Sequence, residues 1–220
     1  MKTGQSNMKL QKGFTLVEIA IVLVIIGLLL GGVLKGQELI NSAKVKNFAN
    51  DFRNVPLYIY AYQDKFRALP GDDTNVTTHV TGSTEATTPG TTGNGNIEGN
   101  WDSQTATDES ALFWQHVRLA GLTTGGTSPA TDGYYPTNAD GGRVGVESRA
   151  SDFISGLNGA YLVCSTGIQG KFAKQLDVTM DDGVHNTGSM QIVATNHTRG
   201  QAAGNGVPAD DTTYTVCMAL

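Results

Sequence analysis

Residues 12–34 read KGFTLVEIAIVLVIIGLLLGGVL, and this stretch decides the architecture of the chain. Sixteen of the 21 positions 14–34 are apolar, and one, Glu18, is charged. At 1.5 Å rise per residue, a helix of about 20 such residues crosses a bilayer core. The run is longer than the apolar core of a cleaved secretory signal, and no Ala-x-Ala site closes it. Positions 1–13 before it hold Lys2, Lys9 and Lys12 and no acid. Such a flank keeps an amino end cytoplasmic while the body behind the anchor is translocated.

Helical periodicity continues past the anchor. Val45, Phe48, Phe52, Val55, Ile59, Tyr62 and Phe66 recur at spacings of three and four, which makes one apolar stripe. Lys44, Lys46, Arg53, Asp64, Lys65 and Arg67 occupy the other faces. The pattern predicts a helix over 14–68, about 80 Å long, apolar all round in its first half and amphipathic in its second. Pro56 lies inside the stripe and removes one backbone hydrogen bond, so a bend is expected near 52–56. Leu69-Pro70-Gly71-Asp72-Asp73 ends the helix. An aromatic stripe also suits a ligand groove or an electron-transfer path, but at helical spacing its ordinary task is packing on a sheet.

Two features do not suit a plain anchor. Glu18 places a charge inside the apolar run, where it is costly unless partnered. Gly13 is followed at once by Phe14. Taken together, Lys12-Gly13-Phe14-Thr15-Leu16-Val17-Glu18 and the apolar run to Leu34 resemble the processing motif of type IV prepilins and type II secretion pseudopilins. The resemblance implies a leader over 1–13, cut after Gly13 by a membrane peptidase that also methylates the new amino terminus at Phe14. It implies a bilayer-spanning and later filament-core segment over 14–35, the amphipathic helix half over 36–68, and a head over 69–220. It further implies an α+β fold with the long helix packed on a carboxyl-terminal antiparallel sheet. Glu18 is expected to pair with the amino terminus of a neighbouring subunit, which gives a buried acid the partner it requires. The implied partners are the bilayer, the peptidase and N-methyltransferase, an inner-membrane assembly platform, and other pilin subunits of the same or a different kind. No cofactor is implied. Met8 offers a second start that leaves a six-residue leader. Where many pilins carry Pro, this chain has Lys35 among Gly27, Gly31, Gly32 and Gly36, which weaken the helix or allow close helix contact.

Residues 74–100 are rich in Thr, Gly and Asn and predict a loop. Asp108 is positioned to cap a short helix over 109–120 that buries Leu112, Phe113, Val117 and Ala120 and stops at Gly121. A second Gly/Thr/Pro loop covers 123–142, and strands are predicted at 160–164, 189–194 and 214–217. Cys164 and Cys217 are the two cysteines and lie outside any metal-binding spacing. An exported body predicts a disulfide between them, closing about 54 residues, whereas a cytosolic one predicts two buried thiols. A bridge near the carboxyl end is similar to the disulfide-closed region of type IV pilins.

The net charge of -5 and the lack of any basic cluster argue against nucleic-acid binding. His79, His116, His185 and His197 have no metallohydrolase spacing, and no GxSxG elbow, P-loop or dinucleotide fingerprint occurs, so no enzymatic activity is expected. Asp177, Asp181 and Asp182 are calcium candidates, since hard oxygen ligands in a loop are what that ion takes. Their spacing misses the EF-hand pattern, and a helix end followed by an acidic turn accounts for them better. The expected function is structural: a subunit of a type IV pilus-like filament, with a secretion pseudopilin and a membrane-anchored binding domain that never polymerises as alternatives. The expected location is the bacterial inner membrane, then a periplasmic or surface fibre.

Overall fold

The structure is a computed structural model and describes residues 13–90 and 92–220. The expected leader over 1–13 therefore lies outside the described residues except for Gly13. The chain divides into two units, one ending at Ser42 and the other running from Ala43 to Leu220. A single helix, α1 (Leu16–Phe66), contributes to both.

In the first unit, every residue from Gly13 to Lys35 is exposed. In the second, the predicted stripe is the buried face of α1: Val45, Phe48, Ala49, Phe52, Val55, Ile59 and Tyr62 are all inside. Periodicity alone explains the choice, because these positions share one side of a 3.6-residue helix. Helical assignment runs on through Pro56, although that residue cannot donate to the carbonyl of Phe52. The helix stops at Arg67, whose left-handed φ of 57° turns the chain. Gly71 follows at φ 96°, and a Cβ there would stand 2.5 Å from the backbone oxygen of Glu109, so only glycine allows this approach.

A four-stranded antiparallel sheet forms the other layer: β1 (Val144–Ser148), β2 (Tyr161–Gln169), β3 (Met190–Ala194) and β4 (Thr213–Ala219), in the order β1-β2-β4-β3. Strand alternation sends Val146, Val163, Ile192, Val216 and Met218 toward the α1 stripe, where Phe48 meets Phe172 at 6.3 Å between ring centroids. Leu162, Cys164, Val193, Cys217 and Ala219 point the other way, into a second apolar layer with Trp101, Phe153, Ile154 and Leu157. The sheet is thus covered on both faces, and the fold is α+β.

Helix α3 (Glu109–Leu119) lies where the sequence predicts it, and Gly121 follows with φ 77°. Asp108 precedes it without capping it. Its carboxylate instead accepts from Thr88 Oγ1 at 2.6 Å and Ser103 Oγ at 2.5 Å, because the Thr-rich loop supplies hydroxyl donors. Three short helices, α2 (Val76–His79), α4 (Ala150–Phe153) and α5 (Gly170–Met180), and strand β1 carry too weak a local signal for a sequence reading. His116 is buried on α3, where Nδ1 accepts from the Gly71 amide at 2.9 Å and Nε2 donates to Thr84 O at 2.8 Å. Burial pushes its pKa below the usual histidine value, which suits an Nδ1 that must accept.

Candidate processing and assembly site

The first turn of α1 is built by Thr15-Leu16-Val17-Glu18. Glu18 Oε2 accepts from the backbone N–H and from Oγ1 of Thr15, each at 2.8 Å, and the Glu18 amide donates back to Thr15 Oγ1 at 3.3 Å. This reciprocal pattern is a capping box, in which a Thr and a Glu three residues later satisfy donors that the helix start leaves open. The T-x-x-E spacing that signals it stands in the sequence, yet Thr15 was not among the expected functional residues. Within one chain, then, the acid already has partners on its own helix.

Gly13 and Phe14 precede this turn and are exposed, Phe14 to 84%. A Cβ at Gly13 would meet nothing within 4 Å. The same openness surrounds Gly27, Gly31, Gly32 and Gly36, where helix backbone is bare of neighbouring atoms. From Leu16 to Leu34 the apolar side chains have no cover among the described residues, and α1 is long and apolar enough to cross a membrane. Apolar surface of this extent gains roughly 25 cal/mol for each Å² removed from water, so lipid or other helices must supply the cover.

Cys164 and Cys217 are disulfide-bonded, and among the described residues no cysteine is free. The two sit opposite each other on β2 and β4, with Cα atoms 4.1 Å apart, and both are fully buried. The bridge therefore staples the two central strands on the sheet face turned away from α1.

Asp177, Asp181 and Asp182 converge at the carboxyl end of α5, with one carboxylate oxygen of each within 4.8 Å of the others. Asp181 accepts from Ser189 Oγ and the Met190 amide, and Asp182 from the Val184 amide and Thr187 Oγ1. Asp177 differs from both. It is 1% exposed and its Oδ1 has no partner. Desolvation first, and then the two acids beside it, push its carboxyl up to about 6. The histidines do not gather: His79 sits 2.7 Å from Asp73, His116 is internal to the fold, and His185 and His197 contact backbone carbonyls.

No curated protein and no solved structure matches the chain. The amino-terminal segment does match: residues 8–34 fit the prokaryotic N-terminal methylation motif. With its long apolar helix, antiparallel sheet and disulfide, the chain thus carries the signature of type IV pilin and pseudopilin precursors, a class of structural subunits.

Proposed function

We propose that this chain is made as a prepilin, held in the bacterial inner membrane by α1 with its amino end in the cytoplasm. It is cut after Gly13, methylated at Phe14, and assembled into a type IV pilus-like filament. The observation that carries this is the division of α1: its first half exposes apolar side chains from Leu16 to Leu34, while its second half is committed to the sheet. An anchor that serves again as a filament core needs such a helix. In the filament, each Glu18 carboxylate exchanges part of its Thr15 capping for the Phe14 ammonium of a neighbour, a charge-assisted contact that supports burial. The long body and its disulfide favour a pilus subunit over a secretion pseudopilin. With 1–13 removed, the mature side chains hold 12 basic against 20 acidic residues, a charge of -8.

Mass spectrometry of the mature amino terminus tests the processing. A methylated Phe14 is expected, and an uncleaved chain sinks the proposal. Electron microscopy of sheared surface material from cells expressing a tagged copy tests the role. Labelled surface fibres are expected, and a label confined to the periplasm favours the pseudopilin.

A further inference from the structure

Three acids from three different segments meet beside the Thr/Gly loop. Asp72 follows α1, Glu98 ends the loop, and Glu109 opens α3. Asp72 is buried and receives the loop's backbone amides. Oδ1 accepts from Gly93 and from Asn94, the latter at 3.1 Å, and Oδ2 accepts from Gly95 at 2.7 Å. Glu109 is 1% exposed; its Oε2 accepts from the Glu98 amide at 2.7 Å, and its Oε1 is buried without a listener among ordinary donors. Glu98 Oε2 is likewise buried without a donor. Two acids are thereby tied to the same loop through its amides, at 93–95 and at 98.

Arg67 and His79 line a cavity of about 600 Å³ with Asp72, and neither forms an ion pair with it. Among the described residues no basic side chain forms an ion pair with Asp72, Glu98 or Glu109. Arg149 and Arg199 share a cavity of about 400 Å³ with Glu98, but they pair with Asp152 and Glu147. Asp73 is turned to Tyr62 and His79, Asp108 to Thr88 and Ser103, and His116 to Gly71 and Thr84. Tyr161 of β2 faces Asp72 and is neutral in the physiological range. The three acids also fail to converge as a trio of ligand atoms in the way Asp177, Asp181 and Asp182 do, so a single metal ion does not fit them.

We propose that the buried Glu109 carboxyl holds a proton, and that this proton latches segment 92–98 onto the head. A neutral Glu109 keeps its Oε2 contact with the Glu98 amide without adding a buried charge beside Asp72, which receives the other three loop amides. Loss of the proton sets two carboxylates against each other with Glu98 beside them, and the least costly relief is for the loop to swing out and admit water. The exposure of this loop thus follows the pH of the medium around it. Burial, with Asp72 and Glu98 adding to it, pushes the Glu109 carboxyl up to about 8, in keeping with a latch that is closed in acid and opens on the alkaline side of neutrality.

The test is hydrogen exchange read by mass spectrometry on the full chain in detergent micelles, from pH 5.5 to 9.5 and corrected for intrinsic exchange. Because the closed form holds one more proton than the open form, protection over 92–98 should fall by about tenfold per pH unit up to about pH 8 and then level off. β2 and β4 should stay protected throughout. Glu109→Gln, which keeps a donor and removes the charge, should hold the loop protected at every pH. Glu98→Gln, which removes a like charge, should move the plateau to lower pH. Protection of 92–98 that is independent of pH in the unaltered chain overturns the proposal, as does an unchanged fall in Glu109→Gln. If Glu109→Gln does not fold, Glu98→Gln decides, and a plateau that stays in place overturns the proposal.

Discussion

Glu18 Oε2 lies 2.8 Å from both the backbone nitrogen and Oγ1 of Thr15, so the charged residue of the apolar segment closes the first turn of its own helix. This contact costs nothing in partners to a lone chain in a bilayer and leaves the carboxylate near the helix start, where a neighbour's ammonium would arrive. On the assembly proposed above, capping and subunit pairing are successive states of one group. Glu18→Ala is expected to be processed normally after Gly13 and to give fibre yields lower by an order of magnitude, measured by quantifying sheared material. Thr15→Ala is expected to be processed and to assemble, but with faster amide exchange over the first turn of α1. Equal fibre yields from Glu18→Ala and the unaltered chain would falsify the pairing role.

The disulfide gives a second prediction. Cys164 and Cys217 are 53 residues apart in sequence, and closing a loop of that length constrains the unfolded chain by about 4 kcal/mol. The double variant Cys164→Ser, Cys217→Ser should lose roughly that much stability in denaturant titration. A loss below about 1 kcal/mol would show that the unfolded chain is already compact without the bridge.

Two residues five positions apart on α1 should behave oppositely. Phe52 is fully buried against the sheet, while Leu57 is 60% exposed. Phe52→Ala is expected to cost about 3–5 kcal/mol, and Leu57→Ala to stay within about 0.5 kcal/mol. Thermal unfolding of the two variants side by side checks the assignment of the buried face.

Asp177 supplies a pH-dependent prediction. Its carboxyl is raised to about 6 in the fold, so the folded chain holds a proton that the unfolded chain releases near pH 4. Stability from this group is therefore greatest below about pH 4 and falls as pH rises to about 6. Asp177→Asn should raise Tm at pH 7.5 and leave it unchanged at pH 4. Millimolar calcium chloride at pH 7.5 separates the two roles of the acidic trio. A rise in Tm that Asp177→Asn abolishes marks a hard-cation site, and no rise marks an acidic turn.

The most legible parts of this fold are those governed by one long period. The α1 stripe could be read because seven apolar residues repeat at helical spacing, and six of them are fully buried while Phe66 is partly so. The strands around Cys164 and Cys217 could be read from short β-branched and apolar runs, though β2 extends to Gln169 through an irregularity between Ser165 and Ile168 that no local pattern announces. Helix α5 escaped because it begins at a glycine directly after β2, with no turn residues between the two elements to mark its start. The second apolar layer escaped for a different reason. Trp101 lies far from the strands in sequence, Phe153 and Leu157 lie in the connection between β1 and β2, and only the closed sheet brings the three together. At the amino end, Gly13, Phe14 and Glu18 were visible as a motif, while the Thr15 contact needed the helix start to be placed. The acid cluster at Asp72, Glu98 and Glu109 joins residues from three segments and leaves no trace in any one of them.

The bridge between β2 and β4 also sets how far the chain can be drawn out under load. On the proposed assembly the subunit is pulled through α1, and a head that unravels lengthens by roughly 3.3–3.6 Å for each residue released. The 53 residues from Cys164 to Cys217 are withheld from that extension, a contour length of about 180 Å that becomes available only on reduction. An oxidised subunit under tension therefore reaches a hard stop early, with β3 and α5 enclosed in the covalent loop. The disulfide makes the head a short leash rather than a long one.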